Sequence, residues 1–307
     1  MVRRGALALR CVVRTFCVVK SSAATDESSL MKIDSHHHFW KYGAEEYPWI
    51  SDDMAALRRD FLPDDLRQEI AHADMDGVVS VQARQTVGET EWLLSLAEKN
   101  AFIKGVVGWV PLAEPGVKKI IEQFAARPKL RSVRHVVQGE PDDRFILGDD
   151  FNRGVAMLKD FGLAYDILIF ERQLPPSIEF VDRHPKQVFV LDHIAKPRIK
   201  DNAIEPWKKN IRELARRGNV YCKVSGMVTE AEWKTWTEAQ LRPYFDAVLE
   251  AFGPKRLMFG TDWPVCLAAS SYERWVKVVS RFSGELSADE QAWLFGKTAI
   301  EAYRLRV

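Results

Sequence analysis

The stretch KIDSHHHFW (residues 32–40) sets an aspartate and three consecutive histidines on a short apolar run that reads as a buried strand. Three histidines rather than six, well inside the chain and framed by strand residues, are not the remnant of a purification tag. Successive side chains of a strand point to opposite faces. The triplet therefore divides, with Asp34, His36 and His38 on one face and Ile33, Ser35 and His37 on the other. His37, turned to helices or solvent, is given no chemical role. The same alternation in VVSVQAR (78–84) groups Ser80, Gln82 and Arg84 against Val79, Val81 and Ala83, predicting polar side chains inward and apolar ones toward helices.

Downstream of residue 31 this pattern repeats. Strand candidates follow at 77–83, 103–112, 130–137, 163–170, 187–194, 220–226 and 256–263, separated by amphipathic helical stretches that stop at Gly or Pro. Eight alternating strand–helix units predict parallel strands with helical crossovers, an α/β (β/α)8 TIM barrel in a single domain over 31–307. Long connections at 41–62, 138–149 and 227–240 all leave strand C-termini, the face on which such barrels build their sites. The first carries Tyr42, Tyr47 and Trp49 and the third Trp233 and Trp236, aromatics suited either to stacking on a sugar or to filling the space between loops.

Residues 1–30 differ, with five basic residues against two acidic ones. They read as an N-terminal extension: a disordered tail, an organelle-targeting segment, or a start assigned upstream of Met31. No uncharged run there is long enough to span a bilayer. A net charge of +1 gives no reason to expect nucleic acid or an anionic membrane as partner. Four widely spaced cysteines imply neither a disulfide framework nor a zinc knuckle. A reducing, cytoplasmic setting is the expectation, and the sequence leaves oligomeric state open.

The groups able to do chemistry gather at predicted strand ends: His36 and His38, Gln82 and Arg84, Arg134 and His135, His193, Lys223 and Ser225, and Asp262. Each alone is weak; together at one end of one barrel they are not accidental. Arg134 on a valine-rich strand needs a polar or anionic partner, and Asp166 in LAYDILIF, with the same difficulty, is offered as that partner. H-x-H on the first strand, the histidine of LDHIAKP and the aspartate of FGTDWP resemble the amidohydrolase superfamily. Within it they resemble the amidohydrolase-related group holding sugar lactonases of the fuconolactonase and rhamnonolactonase kind and pyrone-dicarboxylate lactonase. The likeness runs from residue 32 to about 303.

That resemblance implies a hydrolase that opens a small-molecule sugar lactone. His36, His38, His193 and Asp262 would be its catalytic cluster, with Asp262 the base that deprotonates water. Gln82, Arg84, Arg134, His135, Lys196 and Trp40 would be substrate-binding. Lys196 is alternatively part of a solvated basic turn, and Trp40, Trp109 and Trp263 are either pocket wall or loop core. The fifth strand holds no histidine, unlike many relatives, so a binuclear centre is not expected. One divalent ion, zinc foremost, on His36, His38 and Asp262 with water in the open position and catalysis without metal both stay open. The alternatives are a metal-dependent decarboxylase of an aromatic or muconate-type acid, disfavoured by the same missing histidine, and a non-catalytic metabolite-binding barrel.

Overall fold

The structure is a computed structural model that describes Met1, Val2 and residues 31–307, so the extension anticipated over 1–30 lies almost wholly outside the described residues. Eight parallel strands form one sheet in sequence order: β1 (Ile33–His37), β2 (Gly77–Val81), β3 (Ile103–Gly108), β4 (Leu130–Val136), β5 (Ala164–Leu168), β6 (Phe189–Leu191), β7 (Val220–Val224) and β8 (Leu257–Phe259). Crossover helices follow them: α1 (Pro63–His72), α2 (Val87–Lys99), α3 (Val117–Ala125), α4 (Asp149–Leu158), α5 (Leu174–Arg183), α6 (Trp207–Ala215), α7 (Glu238–Phe252) and α8 (Tyr272–Phe282). β8 returns to β1 through backbone bonds from His38 N to Trp263 O and from Asp262 N to His36 O, both 2.7 Å. The expected (β/α)8 barrel is what forms. No helix among the described residues is long and apolar enough to cross a membrane.

The helices form because each presents an apolar stripe at helical spacing. α8 buries Tyr272, Trp275, Val278, Val279 and Phe282, an i, i+3, i+6, i+7, i+10 series. Such stripes pack against the outward residues of the strands, among them Val78, Val106, Val133, Phe189, Val224 and Phe259. Each fully buried side chain of this kind contributes about 1.5–3 kcal/mol.

Inside the barrel the lower layers are apolar. Ile33, Val79, Val81, Val107, Ala164, Val190 and Met258 pack with Tyr303 and Leu305 from the C-terminal segment. This overturns the expected facing of β2: Val79 and Val81 are inside, while Ser80 looks to the helix layer and bonds His37 Nε2 at 2.9 Å. His37 is accordingly fully buried, not solvated. On β1 the register shifts between Asp34 and His37. That irregularity brings Ile33 and His36 to the same side and sends Asp34 toward β8, where it accepts from Thr261 N (2.9 Å) and Thr261 Oγ1 (2.6 Å). Simple alternation fails across a bulge, and a close-packed apolar lower barrel makes unpaired polar groups too costly to keep there.

The turn from β2 into α2 is held by Glu89, which accepts from the backbone of Ala83 (2.9 Å) and Arg84. Burial pushes its carboxyl up from 4.5 to about 7. Between those values the folded chain binds more protons than the unfolded one, so stability falls as pH rises through that window. The slope reaches at most about 1.4 kcal/mol per pH unit. Glu89→Gln removes this titration, and urea unfolding followed from about pH 4.5 to 8 should show a flatter curve than wild type.

Candidate active site

The strand C-termini open on one face, and there the polar side chains of six strands meet. β1 delivers His36 and His38, whose Nε2 atoms lie 3.2 Å apart. Beyond β8, Asp262 brings Oδ1 to 3.3 Å from His38 Nε2 and 3.7 Å from His36 Nε2. It does so from a left-handed backbone (φ 61°), which aspartate tolerates better than most residues. His193, after β6, approaches the same oxygen at 4.0 Å. All four are buried, the most open showing 5% of its surface.

Hydrogen bonds constrain the imidazoles. His38 Nδ1 lies 2.9 Å from Val81 O. A carbonyl only accepts, so Nδ1 carries hydrogen and Nε2 faces the cluster. His36 Nδ1 stands between two partners, Lys223 Nζ at 3.2 Å and Asp192 Oδ1 at 3.4 Å. Donation to Asp192 leaves Nε2 a bare lone pair; acceptance from Lys223 puts hydrogen on Nε2, aimed at His38. Burial, reinforced by Lys223, drives His36 well below its ordinary value, and burial takes His193 down to about 3. Burial works to raise Asp262, yet His193, His38 and Lys196 outweigh it and leave the carboxyl below its usual value.

Beneath the cluster lies a buried ionic layer. Lys223 Nζ meets Asp166 Oδ2 at 2.6 Å and Asp192 Oδ1 at 2.9 Å, and Arg134 Nη1 meets Asp192 Oδ2 at 2.9 Å. Ser132 and the Tyr303 hydroxyl each donate to Asp166 at 2.6 Å. Asp192 is held well below its ordinary value: burial opposes this, but Lys223 and His36 prevail. For Asp166 burial wins, and its carboxyl is raised against the pull of Lys223. Two cations and two carboxylates thus neutralise each other around the base of His36.

The loop after β6 is unusual. His193, Ile194, Ala195 and Lys196 all have positive φ (52, 49, 61 and 46°), and Lys196 N bonds His193 O at 2.8 Å. This is a left-handed 3-10 turn, at about 1–2 kcal/mol per residue. Trp207 Nε1 donating to Ile194 O at 2.7 Å and burial of Ile194 and Ala195 hold it. His193 itself is pinned by Ser225 Oγ at 2.9 Å from Nδ1 and by Gly226 (φ 65°), where a Cβ would sit 2.6 Å from that nitrogen. Gly226→Ala should therefore displace the ring and lower turnover by ~10²-fold, the scale of a misplaced reacting group. Steady-state kinetics beside a thermal melt will measure it.

Several residues picked from sequence stand elsewhere. Arg134 reaches the cluster, its Nη1 3.4 Å from His36 Nε2, but pairs with Asp192; Asp166, its expected partner, belongs to Lys223. Gln82 serves the same guanidinium through its backbone carbonyl and donates from Nε2 to Arg134 O at 3.4 Å. Arg84 lies apart, 3.5 Å from Glu46 and over the Tyr47 ring. His135 faces out of the barrel, bonded to Glu140 at 2.6 Å and stacked on Phe145. Trp40 is fully buried, donating to Arg59 O at 2.9 Å among Tyr47, Trp49 and Phe61. It is loop core, as is Trp263. Lys196 pairs with Glu230 at 3.8 Å. Sequence reasoning missed Asp192, in plain view inside LDHIAKP, and Glu230, whose only signal was an acidic residue opposite a basic loop.

The chain is similar to known proteins over most of its length. The family described as amidohydrolase matches residues 33–305. The L-fucono-1,5-lactonase of Burkholderia multivorans is 45% identical over 287 residues, covering 90% of this chain and 96% of that protein. Its namesake from Burkholderia ambifaria is 34% identical, covering 89% and 96%. A crystal structure of a Burkholderia multivorans amidohydrolase with bound zinc superposes with a TM-score of 0.87 at 43% identity, covering 90% of this chain and all of that one. With the barrel, the strand-end histidines and aspartate, and a match spanning all eight strands, the chain belongs to the amidohydrolase family.

Proposed function

We propose that the protein is a hydrolase that opens a sugar lactone to its hydroxy acid, with L-fucono-1,5-lactone the first substrate to try. The observation that carries this is the convergence of His36, His38 and Asp262 within 3.2–3.7 Å at the barrel mouth. The 45% identical lactonase supports the choice of substrate.

The same three atoms fit one metal ion. Tetrahedral ligands at about 2.0–2.1 Å from zinc stand roughly 3.3 Å from one another, which is the spacing seen. His36, His38 and Asp262 would hold the ion, with His38 oriented by Val81 O as ligating histidines usually are. Such an ion would polarise the lactone carbonyl and acidify water. Asp262, kept ionised by its surroundings, takes a proton from the attacking water. Arg134, and His193 when its Nε2 carries hydrogen, face the carbonyl oxygen as charge develops on it. In the metal-free alternative, His36 Nε2–H serves as a donor in that role.

A decarboxylase with a metal ligand from the fifth strand fits less well. The inward carboxylate of β5, Asp166, is already engaged by Lys223, Ser132 and Tyr303. The test is acid release from L-fucono-1,5-lactone and a panel of aldonolactones, read by a pH indicator. Turnover of at least one is expected; carbon dioxide from an aromatic acid with no lactone turnover would replace this reading. In parallel, zinc should raise the thermal midpoint of wild type but not of His38→Ala.

A further inference from the structure

Opening a lactone requires more than attack on its carbonyl. The ring oxygen departs as an alkoxide, a poor leaving group until protonated, so a proton must be delivered to it at the site. On the lactonase reading above, we propose that Lys196, held by Glu230, is the proton donor to that departing ring oxygen.

The geometry comes from the left-handed turn. A 3-10 turn of either hand has three residues per turn, so side chains three apart eclipse. His193 and Lys196 therefore stand on one face of the turn, side by side. His193 is 4.0 Å from Asp262, and Lys196 is close enough to help keep the Asp262 carboxyl ionised. An extended course for these four residues would break that pairing. The strain of four left-handed residues without a single glycine is the kind of cost that functional sites carry.

The environment of Nζ suits a donor. It lies 5.6 Å from the centre of the Phe170 ring and 3.8 Å from Glu230 Oε1, at ion-pair range but outside hydrogen-bond reach. Among the described residues its hydrogens meet no hydrogen-bond acceptor, which leaves them for a ligand. Glu230 comes from the loop after β7 and is largely buried, and burial raises its carboxyl while Lys196 draws it back toward the charged form. Glu230 also lines a recess of about 620 Å³ with Thr229, Trp233 and Arg198, on the same face of the barrel. Glu230 is a positioning residue, and Lys196 is the group that touches substrate.

The step balances. Water bonds to the carbonyl carbon as its proton passes to Asp262. The bond from carbonyl carbon to ring oxygen then breaks, its electron pair stays on the oxygen, and Nζ–H supplies the proton. The proton held by Asp262 restores the ammonium. Water and lactone give the hydroxy acid, and nothing is oxidised or reduced.

The test compares L-fucono-1,5-lactone with its analogue bearing sulfur in place of the ring oxygen, because a thiolate leaves without a proton. For Lys196→Met, kcat on the oxygen lactone should fall ~10²-fold, the usual worth of a general acid, with under about 5-fold loss on the sulfur analogue. Lys196→Arg keeps the charge but releases no proton near neutral pH, so it should fail as Met does. Glu230→Gln should lose roughly 10-fold, again on the oxygen lactone alone, as a partial loss of the same effect. Retained thiolactone turnover also shows that each variant is folded. Equal losses on both substrates, or full activity in Lys196→Arg, would overturn the proposal. Wild type that hydrolyses neither compound would instead overturn the substrate assignment on which it rests.

Discussion

Asp262→Asn is expected to lower kcat on the preferred lactone by about 10³-fold, the middle of the range for loss of a general base. The substitution is close to isosteric, and asparagine tolerates the left-handed backbone at this position as aspartate does. The amide can still meet His38 and His193, so the fold and the mouth of the site should be kept and the thermal midpoint little changed. What is lost is the capacity to accept a proton from water. The expected signature is therefore a collapse in kcat with only a modest change in KM, measured by initial rates across substrate concentration. Turnover within about 10-fold of wild type would assign proton abstraction to another group and remove Asp262 from the mechanism.

Lys223→Met should be the most damaging substitution for stability. The ammonium is fully buried between Asp166 and Asp192, and methionine leaves two carboxylates facing each other with only Arg134 to balance them. Removing one partner of a buried charge network costs about 3–5 kcal/mol, roughly 6–20 °C in thermal midpoint for a chain of this size. The double variant Lys223→Met with Asp166→Asn removes one charge of each sign and should recover a large part of the loss, because the damage comes from the uncompensated anion. Denaturant unfolding of the single and double variants measures both. A single variant as stable as wild type would mean that water reaches this layer and that the ion pairs carry little weight.

The barrel was readable because its evidence is repetitive. β-branched runs, amphipathic stretches and Gly or Pro stops recur eight times, and an error in one unit leaves the others standing. The histidines and Asp262 were readable because their residue types are rare at strand ends unless they do something. The facing of β2, and of Ile33 and Asp34 on β1, was not: the bulge between Asp34 and His37 leaves no local mark, so the alternation that fits His36, His37 and His38 fails for the residues before it, and on β2 the polar Ser80 turns to the helix layer to meet His37. Trp40 and His135 were misplaced for a related reason: proximity in sequence to a site residue says little about direction once the strand has ended. The turn at 193–196 was invisible because HIAK holds neither glycine nor asparagine, the usual signals of left-handed backbone. Only the proline after Lys196, which disfavours a right-handed helix before it, hinted at an irregular course.

The stitching of β8 to β1 has a consequence for how the protein comes into being. Asp34 and Thr261, partners in that junction, are 227 positions apart in the chain, and Asp262 meets His36 across a gap one position shorter. A growing chain on the ribosome holds its histidines from the start but receives their carboxylate near the end of synthesis. On the role proposed for Asp262, a chain that ends before it should show no turnover, and activity should report that the ring has shut. A molecule gripping both sides of the junction also acts as a latch, tightening the entire barrel in proportion to the logarithm of its concentration.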